Sequence, residues 1–226
     1  PAATSMEVLL GNYYGFNDQM TTMLEGLTGP IPEGMGMEYT AGATFKHPRE
    51  IKDTWAPDMA KESDLAIVCV GLSSFLEGEE GESLLSPLNG DRDNISLPAS
   101  QADYIKELAS HGVKIVLIVT GGSPIALGEV EDMVEAIIFV WYPGMEGGKA
   151  VADVLFGDIS PAGKLPLTFP KSLDQLPAFD DYSMEGRTYR YMTEEPLYPF
   201  GFGLSYSTFE YADLKLDKSE IAAGYS

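Results

Sequence analysis

Leu65-Ala66-Ile67-Val68-Cys69-Val70 is a continuous apolar run of strand length. Such a run is typical of a parallel strand that is covered on both faces. The chain then enters the acidic stretch Glu77-Gly78-Glu79-Glu80-Gly81-Glu82 and returns at Gly90-Asp91-Arg92. Four carboxylates that repel one another and two glycines disfavour a helix, so this stretch is predicted to be a loop. An acidic loop after a buried strand is a candidate for chemistry at the carboxyl edge of an α/β sheet.

The sequence after this loop alternates between strand-like and helix-like segments. Apolar runs occupy residues 113–119 and 136–141, and helical spacing occupies residues 100–109 and 147–156. This alternation predicts βαβ units, which means an α/β fold with a mainly parallel sheet covered by helices on both faces. Weaker patterns predict short helices at residues 21–27 and 56–63, and further strands at residues 37–39, 165–169 and 209–216.

Composition excludes several classes of partner and chemistry. A net charge of −21 disfavours nucleic acid and anionic membrane surfaces as partners. The sequence contains no run of 18 apolar residues, so no membrane span is predicted. Cys69 is the single cysteine and is predicted to be buried, so neither a disulfide framework nor a catalytic thiol is expected. His47 and His111 share no ligand spacing, and we expect no metal site and no cofactor. The chain starts at Pro1, so we expect a piece of a longer protein whose compartment (periplasmic, secreted or cytoplasmic) is left open.

The acidic loop has three interpretations from its residues alone. It is a solvated surface loop, a calcium-binding loop, or the carrier of a general acid. Calcium is disfavoured because the spacing is not that of an EF-hand loop. Crowding supports a general acid, because neighbouring carboxylates raise one another's pKa and one can keep its proton near neutral pH. From the residues alone, a solvated surface loop stays an equal alternative.

Four stretches, in order along the chain, carry a family resemblance. The first comprises residues 67–71, the acidic loop, Gly90-Asp91-Arg92 and residues 95–101. The second is Trp141-Tyr142-Pro143-Gly144-Met145-Glu146-Gly147-Gly148 with residues 152–158 and 161–166, the third is Gly186-Arg187-Thr188-Tyr189-Arg190-Tyr191, and the fourth is residues 197–206. Together they resemble the second domain of glycoside hydrolase family 3 enzymes, the β-glucosidases and β-xylosidases. The long, glutamate-rich loop is most similar to that of bacterial β-xylosidase-like members.

The resemblance implies a layered α/β sandwich with about six strands, which packs beside a TIM-like barrel of the same polypeptide. The barrel supplies an aspartate nucleophile, and the sandwich supplies a glutamate acid/base on the loop after a strand. The implied reaction is retaining, exo-acting hydrolysis of terminal β-linked sugars, with a β-linked oligosaccharide such as a xylo-oligosaccharide as substrate. The implied domains are residues 1–208 for the sandwich and 209–226 for the start of a fibronectin type III-like domain. The alternative is a non-catalytic carbohydrate-binding or assembly domain of the same fold.

Three glutamates are candidates for the acid/base that the resemblance implies. Glu79 comes first, because in relatives with a shorter loop the acid/base resembles the second Glu of a Glu-x-Glu pattern. Counting back from Asp91 and Arg92 favours Glu80 instead, because this loop is longer than in those relatives. Glu77 is third, with a role in orienting its neighbour or holding a sugar hydroxyl. Asp91 and Arg92 are expected to form a structural pair that anchors the return of the loop. The aromatic residues at 189–191 and 198–206 are expected to form clamps between domains.

Overall fold

The computed structural model describes residues 1–15, 17–45, 55–79, 86 and 90–224. At its centre lies a parallel sheet of three strands in the order β1-β2-β3, with β1 at Ala66–Gly71, β2 at Ile115–Thr120 and β3 at Ala136–Trp141. All three apolar runs therefore form the strands that were predicted, within two residues at each end. The carboxyl ends of the strands meet at one edge, and the acidic loop leaves β1 at that edge as predicted.

Helices cover both faces of this sheet. Five α-helices lie in the described residues, namely α1 at Met23–Thr28, α2 at Ala56–Lys61, α3 at Ala99–Ser110, α4 at Gly147–Leu155 and α5 at Thr188–Tyr191. Short 3₁₀ helices lie at Glu7–Leu9, Glu131–Met133 and Leu173–Gln175. Among the residues that the structure describes, no helix is long and apolar enough to cross a membrane.

The two faces of the sheet carry separate clusters of buried side chains. On one face, Ile105 of α3 belongs to a cluster with Val70 of β1 and Leu117 of β2. On the other face, α1 and α4 pack together against Cys69 of β1 and Ile118 of β2. This alternation of side chains between faces is what a parallel strand buried on both sides requires. Burial raises the pKa of the Cys69 thiol to about 12, so this cysteine is a poor nucleophile.

Helix α1 has only six residues and is stabilised by its start and by its neighbour. The hydroxyl of Thr22 accepts the Glu25 N–H, and the Glu25 carboxylate accepts the Thr22 N–H, which completes a capping box. A Cβ on Gly26 would overlap the backbone of Gly148 in α4, so both glycines are needed for this close approach. An isolated helix of this length is only marginally stable in water, so α1 depends on its capping box and on its packing against α4 for stability.

Three of the weaker predictions are wrong. Residues 37–39, 165–169 and 209–216 form no strand, and the sheet has three strands in the described residues rather than about six. Residues 165–169 contain Pro166, and Phe169 makes only an isolated antiparallel bridge to Tyr198. Residues 209–216 expose their apolar side chains, such as Leu214, because no second sheet in the described part of the chain buries them. The domain boundary near residue 208 stays a prediction.

The exit of β1 is held by buried polar side chains. Gln101 of α3 accepts the Gly71 N–H through Oε1 at 2.7 Å and donates to the Gly71 carbonyl through Nε2 at 2.9 Å. Thr120, at the end of β2, donates through Oγ1 to the Leu72 carbonyl at 2.9 Å. Gly71 has a φ of 121°, and a Cβ there would overlap the Thr120 carbonyl oxygen. The start of the acidic loop is therefore fixed to the two neighbouring elements.

Candidate active site at the carboxyl edge of the sheet

The segments that follow all three strands converge on Glu77. After β2, the Gly122 N–H donates to Oε2 of Glu77 at 2.5 Å, and the Ser123 hydroxyl donates to Oε1. After β3, the Tyr142 hydroxyl donates to Oε2 at 2.5 Å. Both carboxylate oxygens thus accept hydrogen bonds from residues that lie 45 to 65 positions further along the chain.

Arg92 completes this cluster where the acidic loop returns. Its Nη1 lies 3.3 Å from Oε1 of Glu77, and the side chains of Arg92 and Glu77 are only 14% and 9% exposed. Nη1 also donates to Ser123 Oγ at 2.8 Å and to the Pro124 carbonyl at 3.1 Å. Burial lowers the pKa of Arg92, and the Glu77 carboxylate opposes this shift. The additional hydrogen bonds to both partners offset part of the cost of taking the two charges out of water.

This geometry corrects one prediction about the return of the loop. Arg92 does anchor the return, but in the described residues its ion pair is with Glu77 and not with Asp91. The physical reason is that Glu77 and Arg92 are 15 residues apart in sequence and meet only when the loop closes. Adjacent residues such as Asp91 and Arg92 need not direct their side chains to the same place.

Tyr142 is a member of the cluster that sequence reasoning missed. Trp141 has a φ of 56°, and the pairing of β2 with β3 shifts register at this point, so the chain turns sharply after β3. Burial, and then the nearby Glu77 carboxylate, raises the pKa of Tyr142 well above its ordinary value. Its hydroxyl therefore remains a hydrogen-bond donor. Tyr142 and Ser123 each follow a strand closely on the same edge, and that position was the available signal.

Glu79 has different surroundings from Glu77 although it is two residues away. Its side chain is exposed, and its Oε2 accepts a hydrogen bond from the Tyr13 hydroxyl. The side-chain amide of Asn12 donates to the Glu77 carbonyl at 3.0 Å. The third candidate, Glu80, lies outside the described residues. The structure therefore separates a buried glutamate that is enclosed by protein donors from an accessible one at the same edge.

The aromatic residues near the end of the chain pack in pairs. Tyr198 stacks on Phe202 with ring centroids 5.3 Å apart, and Tyr189 stacks on Phe200 at 4.4 Å. Tyr198 also donates through its hydroxyl to Glu131 at 2.7 Å. Their predicted role as clamps between domains stays a prediction. In the described part of the chain, no group of three or more His, Cys, Asp or Glu side chains could hold a metal ion.

Comparison with known families identifies the relatives of this chain. The sequence model of the glycosyl hydrolase family 3 C-terminal domain matches residues 2–206. The chain belongs to this family. Family 3 relatives include a xylan 1,4-β-xylosidase of Xylanibacter ruminicola, which is 46% identical over 71% of this chain and 19% of its own length. They also include a periplasmic β-glucosidase of Salmonella typhimurium, which is 34% identical over 96% of this chain and 32% of its own length.

Solved family 3 structures share the fold. A GH3 exo-β-xylosidase in complex with a xylobiose aziridine activity-based probe matches with a TM-score of 0.78 and 30% identity, over 92% of this chain and 27% of that chain. A β-glucosidase from Listeria innocua in complex with isofagomine matches with a TM-score of 0.72 and 25% identity, over 93% of this chain and 30% of that chain. The family resemblance and the fold class read from the sequence are confirmed. The chain spans 19% and 32% of the length of these two curated relatives.

Proposed function

We propose that this chain is the second domain of a retaining, exo-acting β-glycosidase that hydrolyses terminal β-linked sugars. The proposal covers β-xylosidase and β-glucosidase activity, because relatives of both names match the chain. The nucleophile is an aspartate on a barrel domain of the same polypeptide, and Glu79 of this chain is the acid/base. The observation that carries the assignment is the contrast between the exposed Glu79 and the enclosed Glu77 at the carboxyl edge of the sheet.

A retaining mechanism gives Glu79 two successive tasks. In the first step it donates its proton to the glycosidic oxygen while the nucleophile attacks the anomeric carbon and the leaving group departs. In the second step Glu79 takes a proton from the water that attacks the glycosyl-enzyme. The two carboxyl groups must lie about 5 Å apart for this chemistry. An acid/base on an exposed loop side chain is able to meet a nucleophile that belongs to another domain.

Glu77 is less suited to these tasks for a reason visible in its contacts. Its two oxygens accept hydrogen bonds from Gly122, Ser123 and Tyr142 in addition to the ion pair with Arg92. Every one of these partners is a donor, so a proton on Glu77 would displace one of them. We assign Glu77 the role of fixing the start of the loop, two residues before Glu79.

The test uses the complete enzyme that we propose carries this chain. Glu79→Ala should slow cleavage of substrates with poor leaving groups by about 10²–10⁴-fold, because a positioned general acid typically contributes this much. Aryl glycosides with activated leaving groups should react nearly normally in the first step, since such groups depart without a proton. Added azide should then partly restore turnover, because a small anion attacks the glycosyl-enzyme without a general base.

Matched variants of the same loop provide the controls. Glu80→Ala should lack the dependence on the leaving group, and Glu77→Ala should lower stability and slow all substrates alike. If Glu80→Ala shows the dependence and Glu79→Ala does not, the acid/base is Glu80. If none of the three shows it, the loop is not the acid/base and the proposal fails.

The chain on its own should neither hydrolyse aryl β-xylosides nor bind glycans tightly, because it holds only one of the two carboxyl groups. A glycan titration of the isolated chain therefore separates the proposal from the alternative of a carbohydrate-binding domain. Tight binding by the isolated chain would favour that alternative. Clear turnover by the isolated chain, free of contaminating enzyme, would mean that the nucleophile lies within these residues.

A further inference from the structure

The turn Gly11-Asn12-Tyr13-Tyr14-Gly15 has no role in the mechanism above, although it touches the acidic loop. It follows the 3₁₀ helix Glu7–Leu9, and the Leu9 side chain is buried in the core. The Leu9 carbonyl accepts the Gly144 N–H at 2.8 Å, which ties the chain before the turn to the loop after β3. The turn therefore projects from a fixed base at the same edge of the sheet as Glu77.

Residues of this turn contact both described glutamates of the loop. The Asn12 side-chain amide donates to the Glu77 carbonyl at 3.0 Å, and so holds the backbone of the loop. The Tyr13 hydroxyl donates to Oε2 of Glu79, and so holds the carboxylate. Asn12 and Tyr13 therefore hold two points of one short loop segment, which lie 65 and 66 positions further along the chain. The loop segment is thus held at the Glu77 carbonyl, two residues before Glu79, and at the Glu79 carboxylate itself.

The exposure of Tyr13 indicates that this contact is not a by-product of core packing. Tyr13 is 85% exposed, so removal of its ring from water contributes little to the stability of the fold. An exposed glutamate samples several rotamers, and a donor on one oxygen selects among them. Within the described residues, Oε1 of Glu79 has no hydrogen-bond partner. Among the described residues, one oxygen of the carboxylate is therefore held and the other accepts no hydrogen bond.

We propose that Tyr13 is a positioning residue for Glu79. It holds Oε2 and thereby presents Oε1 to the glycosidic oxygen. The proton on Oε1 passes to the glycosidic oxygen as the bond from that oxygen to the anomeric carbon breaks and the nucleophile bonds to the same carbon. In the second step the oxygen of a water molecule bonds to the anomeric carbon, the bond from that carbon to the nucleophile breaks, and the water gives a proton to Oε1. This role rests on the acid/base function proposed for Glu79.

Tyr13→Phe tests the role because it keeps the ring and removes only the donor. In the complete enzyme, kcat/KM for a substrate with a poor leaving group should fall about tenfold, the effect of one lost hydrogen bond to a charged group. For an activated aryl glycoside, kcat/KM should change less than about twofold, because no proton is needed. Tyr14→Phe, which removes the hydroxyl of the neighbouring tyrosine, should leave both values unchanged.

A second comparison asks whether Tyr13 acts through Glu79. In a Glu79→Ala background, Tyr13→Phe should have no further effect on the unactivated substrate, because the group it positions is already gone. Independent, multiplicative losses would overturn the proposal, and so would an equal loss with both leaving groups. A silent Tyr13→Phe combined with a raised KM for Tyr13→Ala would also overturn it, since the ring would then only contact substrate. If Glu79→Ala itself shows no leaving-group dependence, the proposed function fails first and this role fails with it.

Discussion

Replacement of Arg92 by methionine should clearly lower the Tm of the chain. Methionine matches much of the length and apolar stem of arginine but leaves the Glu77 carboxylate without its counter-ion, in a side chain that is only 9% exposed. Removal of one partner from a buried ion pair costs about 3–5 kcal/mol of unfolding free energy. Glu77 keeps three neutral donors on Gly122, Ser123 and Tyr142, so the lower end, about 3 kcal/mol, is expected.

The assay is thermal unfolding of the chain followed by circular dichroism. For a chain of 226 residues, a loss of about 3 kcal/mol lowers Tm by about 6–12 °C. Lys106→Met is the matched control, because the Lys106–Glu129 pair has a short Nζ–Oε2 distance of 2.7 Å but its side chains are 39% and 40% exposed. It should leave Tm close to that of the unchanged chain, as surface ion pairs contribute little.

A double-mutant cycle identifies the cause of the loss. Glu77→Gln in the Arg92→Met background should cost less than Glu77→Gln alone, because the charge that Arg92 neutralised is already gone. If Arg92→Met lowers Tm no more than Lys106→Met, the reasoning from burial is refuted. If the two substitutions at the buried pair are strictly additive, Glu77 and Arg92 do not stabilise each other.

Two further predictions concern the same edge of the sheet. Gly71→Ala should lower the free energy of unfolding, measured in urea, far more than Gly112→Ala. Both glycines have a positive φ, but only at Gly71 would a Cβ meet neighbouring backbone. Equal losses in the two variants would contradict this. The pKa of Tyr142 is raised in the folded chain above its ordinary value of 10.0, so its contribution to stability is complete below pH 10 and is lost as pH rises further. The stability advantage of the unchanged chain over Tyr142→Phe should therefore shrink above pH 10 in urea titrations, while Tyr211→Phe, at an exposed position, should behave like the unchanged chain throughout.

The sequence predicted the sheet well because its three strands are apolar on both faces. Such runs, separated by helical spacing, have few alternative structures, and β3 begins and ends at the predicted residues. Residues 165–169 were predicted as a strand but make only one isolated bridge. They are held by scattered backbone hydrogen bonds to residues 197–202 and by the ring contact of Phe169 with Phe139, which a local pattern does not record. The number of strands came from the family resemblance and not from runs in this chain.

The site could be predicted only in part. The acidic loop and its place at the carboxyl edge follow from local sequence, because the loop comes directly after β1. The partners of Glu77 do not, since Tyr142 lies 65 residues away and nothing in its neighbourhood indicates which carboxylate it meets. Tyr13 and Glu79 pose the same problem across 66 residues. Contacts of this range depend on how the elements pack, which no local pattern records.

The contact between Glu77 and Arg92 has a consequence for the length of the acidic loop. The two residues close the loop at its base, 15 positions apart, and are themselves held by the sheet. Once the ends of a loop are fixed, the entropy cost of extra residues grows only with the logarithm of its length, by about 0.6 kcal/mol per doubling. Insertions and deletions after Glu79 are therefore tolerable. They leave unchanged the two-residue spacing between Glu79 and the fixed Glu77. In a loop of different length, the residue that corresponds to Glu79 is therefore found by counting forward from Glu77. Counting back from Arg92 would give a different residue for each loop length.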